Sequence, residues 1–255
     1  MNYSSSLAYL NSFINHERIH GGGLPKRSWN LDRMKFLLRT AGFPQKNYRR
    51  VLIAGTKGKG STGFFLETLL ENSKVKTGFY SSPHLNDPRE RIRICGRMVS
   101  KEQFAKGMSW VKHVILSRSP SPVGITGSRV NFESRLKADP SQKTFRMTPS
   151  SFSYFEIITL LAAYLFKQAK IEIGIFEVGL GGRLDATNAL DHELSVITPI
   201  HLDHELFLGN TIRKIAQEKA AIIRRGSKVI VSPQTVEAFK EIRKRAALQK
   251  ALLIE

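Results

Sequence analysis

Nine consecutive residues, Ala54-Gly55-Thr56-Lys57-Gly58-Lys59-Gly60-Ser61-Thr62, carry the most specific chemistry in this chain. They follow an apolar run, Val51 to Ile53, and lead into a helix-forming segment, Phe64 to Leu70. A strand, a glycine-rich turn, a lysine and a hydroxyl opening a helix make a phosphate cradle. The glycines lack a Cβ, so backbone N–H groups can close around an anion. The helix N-terminus adds partial positive charge, and Lys59 adds a full one. Ser61 and Thr62 set hydroxyls where a phosphate-bound Mg²⁺ sits. Gly60 separates the lysine from the first hydroxyl, which departs from the common P-loop spacing. The stretch predicts a triphosphate ligand; the bland alternative is a glycine-rich turn with a chance lysine.

Three more polar clusters follow predicted strands. Ser82 and His84 come after Lys76 to Tyr80. Glu177 closes Ile171 to Phe176 and precedes Gly179-Leu180-Gly181-Gly182-Arg183-Leu184-Asp185. Asp203 and His204 come after Leu194 to Ile200. Ligands of open α/β sheets bind outside the carboxyl ends of the strands, so parallel strands bring all four clusters to one rim. Each member also has a plain reading. Ser82 can be a turn residue before Pro83, and His201 and His204 can be satisfied by backbone groups. Glu177 can cap a loop or pair with a lysine, but at the end of an apolar strand it must be paired or bind metal. Together a hydroxyl, a carboxylate and an imidazole offer a mixed magnesium set beside a phosphate.

The elements that position these groups alternate. Helical spacing marks 7–14 and 31–41. A buried strand at 51–54 and a helix at 62–71 flank the loop, followed by a strand at 76–80 and a half-exposed strand at 91–95. Ser100 and Gln103 have capping-box spacing and open a helix towards Leu116. Residues 117–147 hold Ser-Pro-Ser-Pro, scattered glycines and basic residues, and read as a flexible surface insertion. A helix at 152–168, strands at 171–178 and 194–200, a helix at 211–223, a strand at 229–232, a basic helix at 236–248 and the start of a strand at 252–254 follow. This order predicts an α/β fold, a mostly parallel sheet containing the P-loop with helices on both faces.

The 255 residues are 41% hydrophobic, which suits one large α/β domain or two small ones. No apolar run is long enough to cross a bilayer, and the N-terminus lacks a secretory pattern. Cys95 is the only cysteine; it reads as a small apolar residue in a reducing cytoplasm. The net charge of +19 admits nucleic acid, small polyanions drawn into a cleft, or a solvated basic surface. The basic residues are dispersed and not interleaved with aromatics, which argues against nucleic acid.

The phosphate loop, Tyr80-Ser81-Ser82-Pro83-His84-Leu85 with Arg89-Glu90-Arg91-Ile92, Phe155-Glu156, Glu177 to Asn188, Leu202-Asp203-His204 and Glu218-Lys219-Ala220 together resemble the N-terminal ATPase domain of folylpolyglutamate and dihydrofolate synthases, in the Mur ligase superfamily. The similarity runs from near Leu7 to about Val231, interrupted at 117–147. The resemblance implies ATP and two Mg²⁺ ions. Lys59 and the loop amides, from Gly55, Thr56, Lys57 and Gly58 to Gly60, Ser61 and Thr62, would hold the phosphates. Ser61 and Glu177 would hold the first ion; Ser82, Glu177 and His204 the second. Lys219 matches a lysine carbamylated in many members, and Pro83, His84, Arg91, Phe155, Glu156 and Asp185 match substrate-side positions.

The implied reaction joins L-glutamate to a folate or dihydropteroate carboxylate through an acyl phosphate. Family members continue into a glutamate-binding domain that these residues do not contain, so the resemblance implies slow or no ligation by this chain alone and possible completion by a separately encoded domain. A non-catalytic nucleotide-binding module, a basic nucleic-acid binder and a sister ligase acting on a cell-wall precursor are the competing expectations.

Overall fold

The computed structural model describes residues 1–15, 17, 30–117 and 151–255. The expected insertion at 117–147 therefore lies almost wholly outside the described residues. An eight-stranded sheet organises the chain: β1 (Arg49–Ala54), β2 (Thr77–Tyr80), β3 (Ile92–Ile94), β4 (Arg97–Met98), β5 (Ile173–Glu177), β6 (Leu194–Ile197), β7 (Lys228–Val231) and β8 (Leu252–Ile254). Their order is β4-β3-β2-β5-β1-β6-β7-β8. From β2 to β8 all neighbours are parallel, while β3 and β4 add an antiparallel hairpin at one edge. β1 thus sits centrally, with β5 and β6 on either side, where the direction of winding reverses.

The helices are α1 (Tyr3–Asn11), α2 (Asp32–Thr40), α3 (Lys59–Asn72), α4 (Lys101–Leu116), α5 (Tyr154–Gln168), α6 (Glu205–Leu208), α7 (Ile212–Ala220) and α8 (Val236–Leu248). Most have side-chain N-caps: Asn2, Ser100, Ser153, Thr211 and Thr235 each accept from a first-turn N–H. Ser100–Gln103 and Ser153–Glu156 close full capping boxes.

Alternation along β1 divides the core. Leu52 and Ala54 pack with α2, α4 and α5 on one face, in a cluster containing Tyr80, Phe166 and Phe176. Val51 and Ile53 face the other way with Phe79 and Ile175, against Leu66 and Leu70 of α3. A second large cluster joins α7 and α8 to Ile197, Val229 and Val231. Helices lie on both faces as expected, but cover on the α3 side stops short of the β8 edge. Ile230 and its register partner Ile254 are each 40% exposed there.

Two expectations fail locally. The first helix spans Tyr3–Asn11, not 7–14, because Asn2 caps it and the chain then extends so that Ile14 pairs with Ser153. Cys95 is not packed among apolar neighbours; it is exposed, with φ 46°, in the β3–β4 turn.

Candidate functional site

α3 begins at Lys59, three residues before the expected start. The first intrahelical bond runs from Thr62 N to Gly58 O at 2.9 Å. The N–H groups of Lys59, Gly60 and Ser61 therefore precede the ladder and face outward from the helix end, beside the Lys59 side chain. Gly55 is obligatory: it has φ +154°, and a Cβ there would lie 1.8 Å from Thr198 Oγ1 at the end of β6. The loop is tied to the segment after β6. Thr56 N donates to Pro199 O at 2.9 Å, and Thr56 Oγ1 donates to His201 O at 3.0 Å while accepting from His201 N at 3.1 Å. Lys57 and Gly58 are exposed at the turn.

Glu177, the last residue of β5, stands beside this loop. Its Oε2 accepts from Ser82 N at 3.2 Å, and a Cβ placed on Gly60 would be 3.4 Å from the same oxygen. The three segments following β1, β2 and β5 thus meet at one carboxylate. Burial pushes the Glu177 carboxyl above its usual range; the Ser82 amide, Lys59 and Arg91 oppose that rise. Lys219, near the end of α7, is buried and donates Nζ to Gly55 O at 2.8 Å. Burial and the positive charge of Lys59 lower its pKa to about 8, against the pull of Asp203 and Asp185.

His204 sits at the entrance to α6, with φ 48°, where its carbonyl accepts from Phe207 N and Leu208 N. Its ring is half exposed, with Nε2 3.6 Å from Asp203 Oδ2. It belongs to the segment tied to Thr56, but no described contact joins it to Ser82 or Glu177. Among the described residues, no three His, Cys, Asp or Glu side chains form a metal-binding group.

The substrate-side expectations divide. Pro83 is exposed, and Phe155 is half-buried, lying so close to Gly179 that a Cβ there would meet its ring at 2.8 Å. Arg91 is 1% exposed and its guanidinium is engaged: Nε donates to His84 Nδ1 at 2.8 Å and the terminal nitrogens to Glu17. Glu156 is buried and committed to Ser153 and Arg33. Asp185 accepts from Gly179 N and Leu180 N, both at 3.0 Å, and from Thr187. These three charged groups hold loops in place. Sequence reasoning missed Thr198, whose only signal is a hydroxyl ending a strand, and Glu17, which lies in a segment without periodicity.

The chain is 39% identical over 190 residues to the dihydrofolate synthase/folylpolyglutamate synthase of Haemophilus influenzae, an overlap of 73% of this chain and 36% of that protein. It is 34% identical over 232 residues to the protein of the same description in Bacillus subtilis, covering 91% of this chain and 47% of the relative. The chain is a homologue of the folylpolyglutamate and dihydrofolate synthases. It spans less than half the length of these curated relatives. The fold agrees: an FPGS–AMPPCP–folate complex superposes with a TM-score of 0.81 at 28% identity, covering all of this chain and 54% of that one. Escherichia coli FolC in complex with DHPP and ADP superposes at 0.75 and 31% identity, covering 99% of this chain and 51% of that one. No protein-family model matches the chain.

Proposed function

We propose that this chain provides the ATP-binding part of a ligase that joins L-glutamate to a folate or dihydropteroate carboxylate. The observation that carries the reading is the meeting of Ser82 N and Glu177 Oε2 against Gly60, which sets a buried carboxylate beside a phosphate loop. Among the described residues, one oxygen of Glu177 accepts from a single amide and the other has no hydrogen bond, which leaves it open to a ligand at the loop.

In this reading the free N–H groups opening α3 and the Lys59 ammonium hold the ATP phosphates. A substrate carboxylate attacks the γ-phosphorus, ADP leaves, and the resulting acyl phosphate has a leaving group that oxide could never be. The amine of glutamate then displaces phosphate, losing a proton as the amide forms. The oxygen donors suit a hard cation: Ser61 and Glu177 would hold one Mg²⁺, and Ser82 and Glu177 a second, to which His204 would add an imidazole only after its segment moved toward them. When bound, such ions supply charge neutralisation between the two approaching anions. Pro83, His84 and Phe155 border the acyl substrate, while Arg91, Glu156 and Asp185 position the loops that do so. Lys219, with its pKa near 8, has about a tenth of its amine neutral at pH 7. That fraction can take up carbon dioxide, which would replace a cation by an anionic ligand. A cytoplasmic location accords with the single cysteine.

Because the chain spans about half of the matched structures, the assay supplies the remaining half of a curated relative, fused or in trans. With ATP, folate and glutamate, ADP is expected to appear in step with amide. Lys59→Ala, Glu177→Ala and His204→Ala should each lower turnover about 100-fold or more while leaving the melting temperature nearly unchanged. Near-normal rates in all three contradict the assignment. ATP binding without amide formation in the complete assembly favours a non-catalytic nucleotide module instead.

A further inference from the structure

A cavity of about 540 Å³ opens at the other end of the strands. Its walls come from α2, from chain entering β1, β6 and β7, and from the last turn of α8, whereas the phosphate loop leaves β1. Lys35, Arg39, Arg224, Arg225 and Arg245 line it against one carboxylate, Asp191. That carboxylate is already committed, bonded by Arg224 at 2.7 Å. The side chains of Lys35, Arg39 and Arg225 are exposed and, among the described residues, make no hydrogen bond or ion pair. Among the described residues, the buried Nε of Arg245 has no hydrogen-bond partner. Leu38, Phe43 and Ile223 supply an apolar floor.

Cations collected around one concavity repel each other, and a buried guanidinium N–H without an acceptor costs free energy. A shallow solvated surface has no need of either arrangement. We propose that this cavity is a second anion site, separate from the phosphate loop, that takes a small organic molecule carrying two or more negative charges on a flat apolar body. The rim cations hold the charged groups, Arg245 Nε donates to one of them, and Phe43 and Leu38 cover the body. Arg224 and Ile223 lie only a few residues beyond Lys219, so an occupant touches the segment that ends α7. The site does not depend on the proposed ligase activity.

The test uses the whole 255-residue chain with Lys59→Ala, which disables the phosphate loop, and two probes, phenyl phosphate and isophthalate. Calorimetry in about 0.15 M salt should show saturable binding of at least one probe. Tighter binding of the first assigns the charge to a phosphoryl group, tighter binding of the second to carboxylates. Adding Arg39→Glu and Arg225→Glu should weaken the better probe about tenfold or more, with the melting temperature unchanged. Adding Arg97→Glu and Lys101→Glu, far along the sheet, should leave the affinity intact. Absence of saturable binding, full affinity after the Arg39 and Arg225 reversals, or an equal loss from the distant pair would overturn the proposal.

Discussion

At the residue scale, the glycine-rich turn that opens α3 was legible because its logic is local: glycines, a lysine and hydroxyls at fixed spacing before a helix. What the spacing did not disclose is why Gly55 must be glycine. The cause is Thr198, 143 positions later but at the end of the neighbouring strand β6, whose hydroxyl occupies the place of a Cβ. Gly55→Ala should therefore displace the loop and cost about 1–3 kcal/mol through overpacking, read as a lowered urea midpoint. The charged residues Glu156, Asp185 and Arg91 were not legible as internally satisfied: Arg33 and Glu17 are distant in sequence, and the nearby partners Ser153, Thr187 and His84 bond through loop and cap geometry that residue spacing alone did not disclose. Lys219 yields a prediction whose sign follows from its lowered pKa. Between about pH 8 and pH 10.5 the unfolded chain keeps its lysine proton while the folded chain has lost it, so stability rises with pH through that window. The gain from pH 7.5 to 9.5 should be about 2 kcal/mol in the native protein relative to Lys219→Met. Parallel stability–pH curves for the two proteins would contradict the burial of an amine at Gly55.

At the element scale, long periodic segments and the Ser100–Gln103 capping box were readable, whereas the Ser153–Glu156 box and short or irregular elements were not. α4 follows its Ser100–Gln103 signal. α6, four residues long, is too short to show a period. The 211–223 segment is helical only to Ala220, because Ile222 O is turned to His192 and Ile223 N to Ala220 O. α5 is the packing centre of its face. Phe166 is fully buried, meets Tyr48 and Phe176 edge-on or tilted, and lies so close to Gly78 of β2 that a Cβ there would fall 2.6 Å away. Phe166→Ala should cost about 3–5 kcal/mol, measured by denaturant unfolding. Because α5 carries Phe155 and Glu156 in its first turn, the loss should also loosen the segment beside Gly179.

At the scale of the whole molecule, alternation of strands and helices announced a parallel sheet, but not its order. That β5 inserts between β1 and β2, bringing Glu177 to Ser82, is a tertiary fact with no local signature. The charge of +19 likewise named no partner by itself; the proposed phosphate loop and the cationic cavity lie at opposite ends of the strands. The described residues contain no helix long and apolar enough to cross a membrane. The central claim is that distant segments converge on one rim to grip nucleotide phosphates. Calorimetric titration of the chain with ATP and Mg²⁺ tests it most directly. Saturable binding is expected, weakened about tenfold or more by Lys59→Ala and made far less dependent on Mg²⁺ by Glu177→Gln. Unchanged affinity and unchanged Mg²⁺ dependence in both variants would contradict the account.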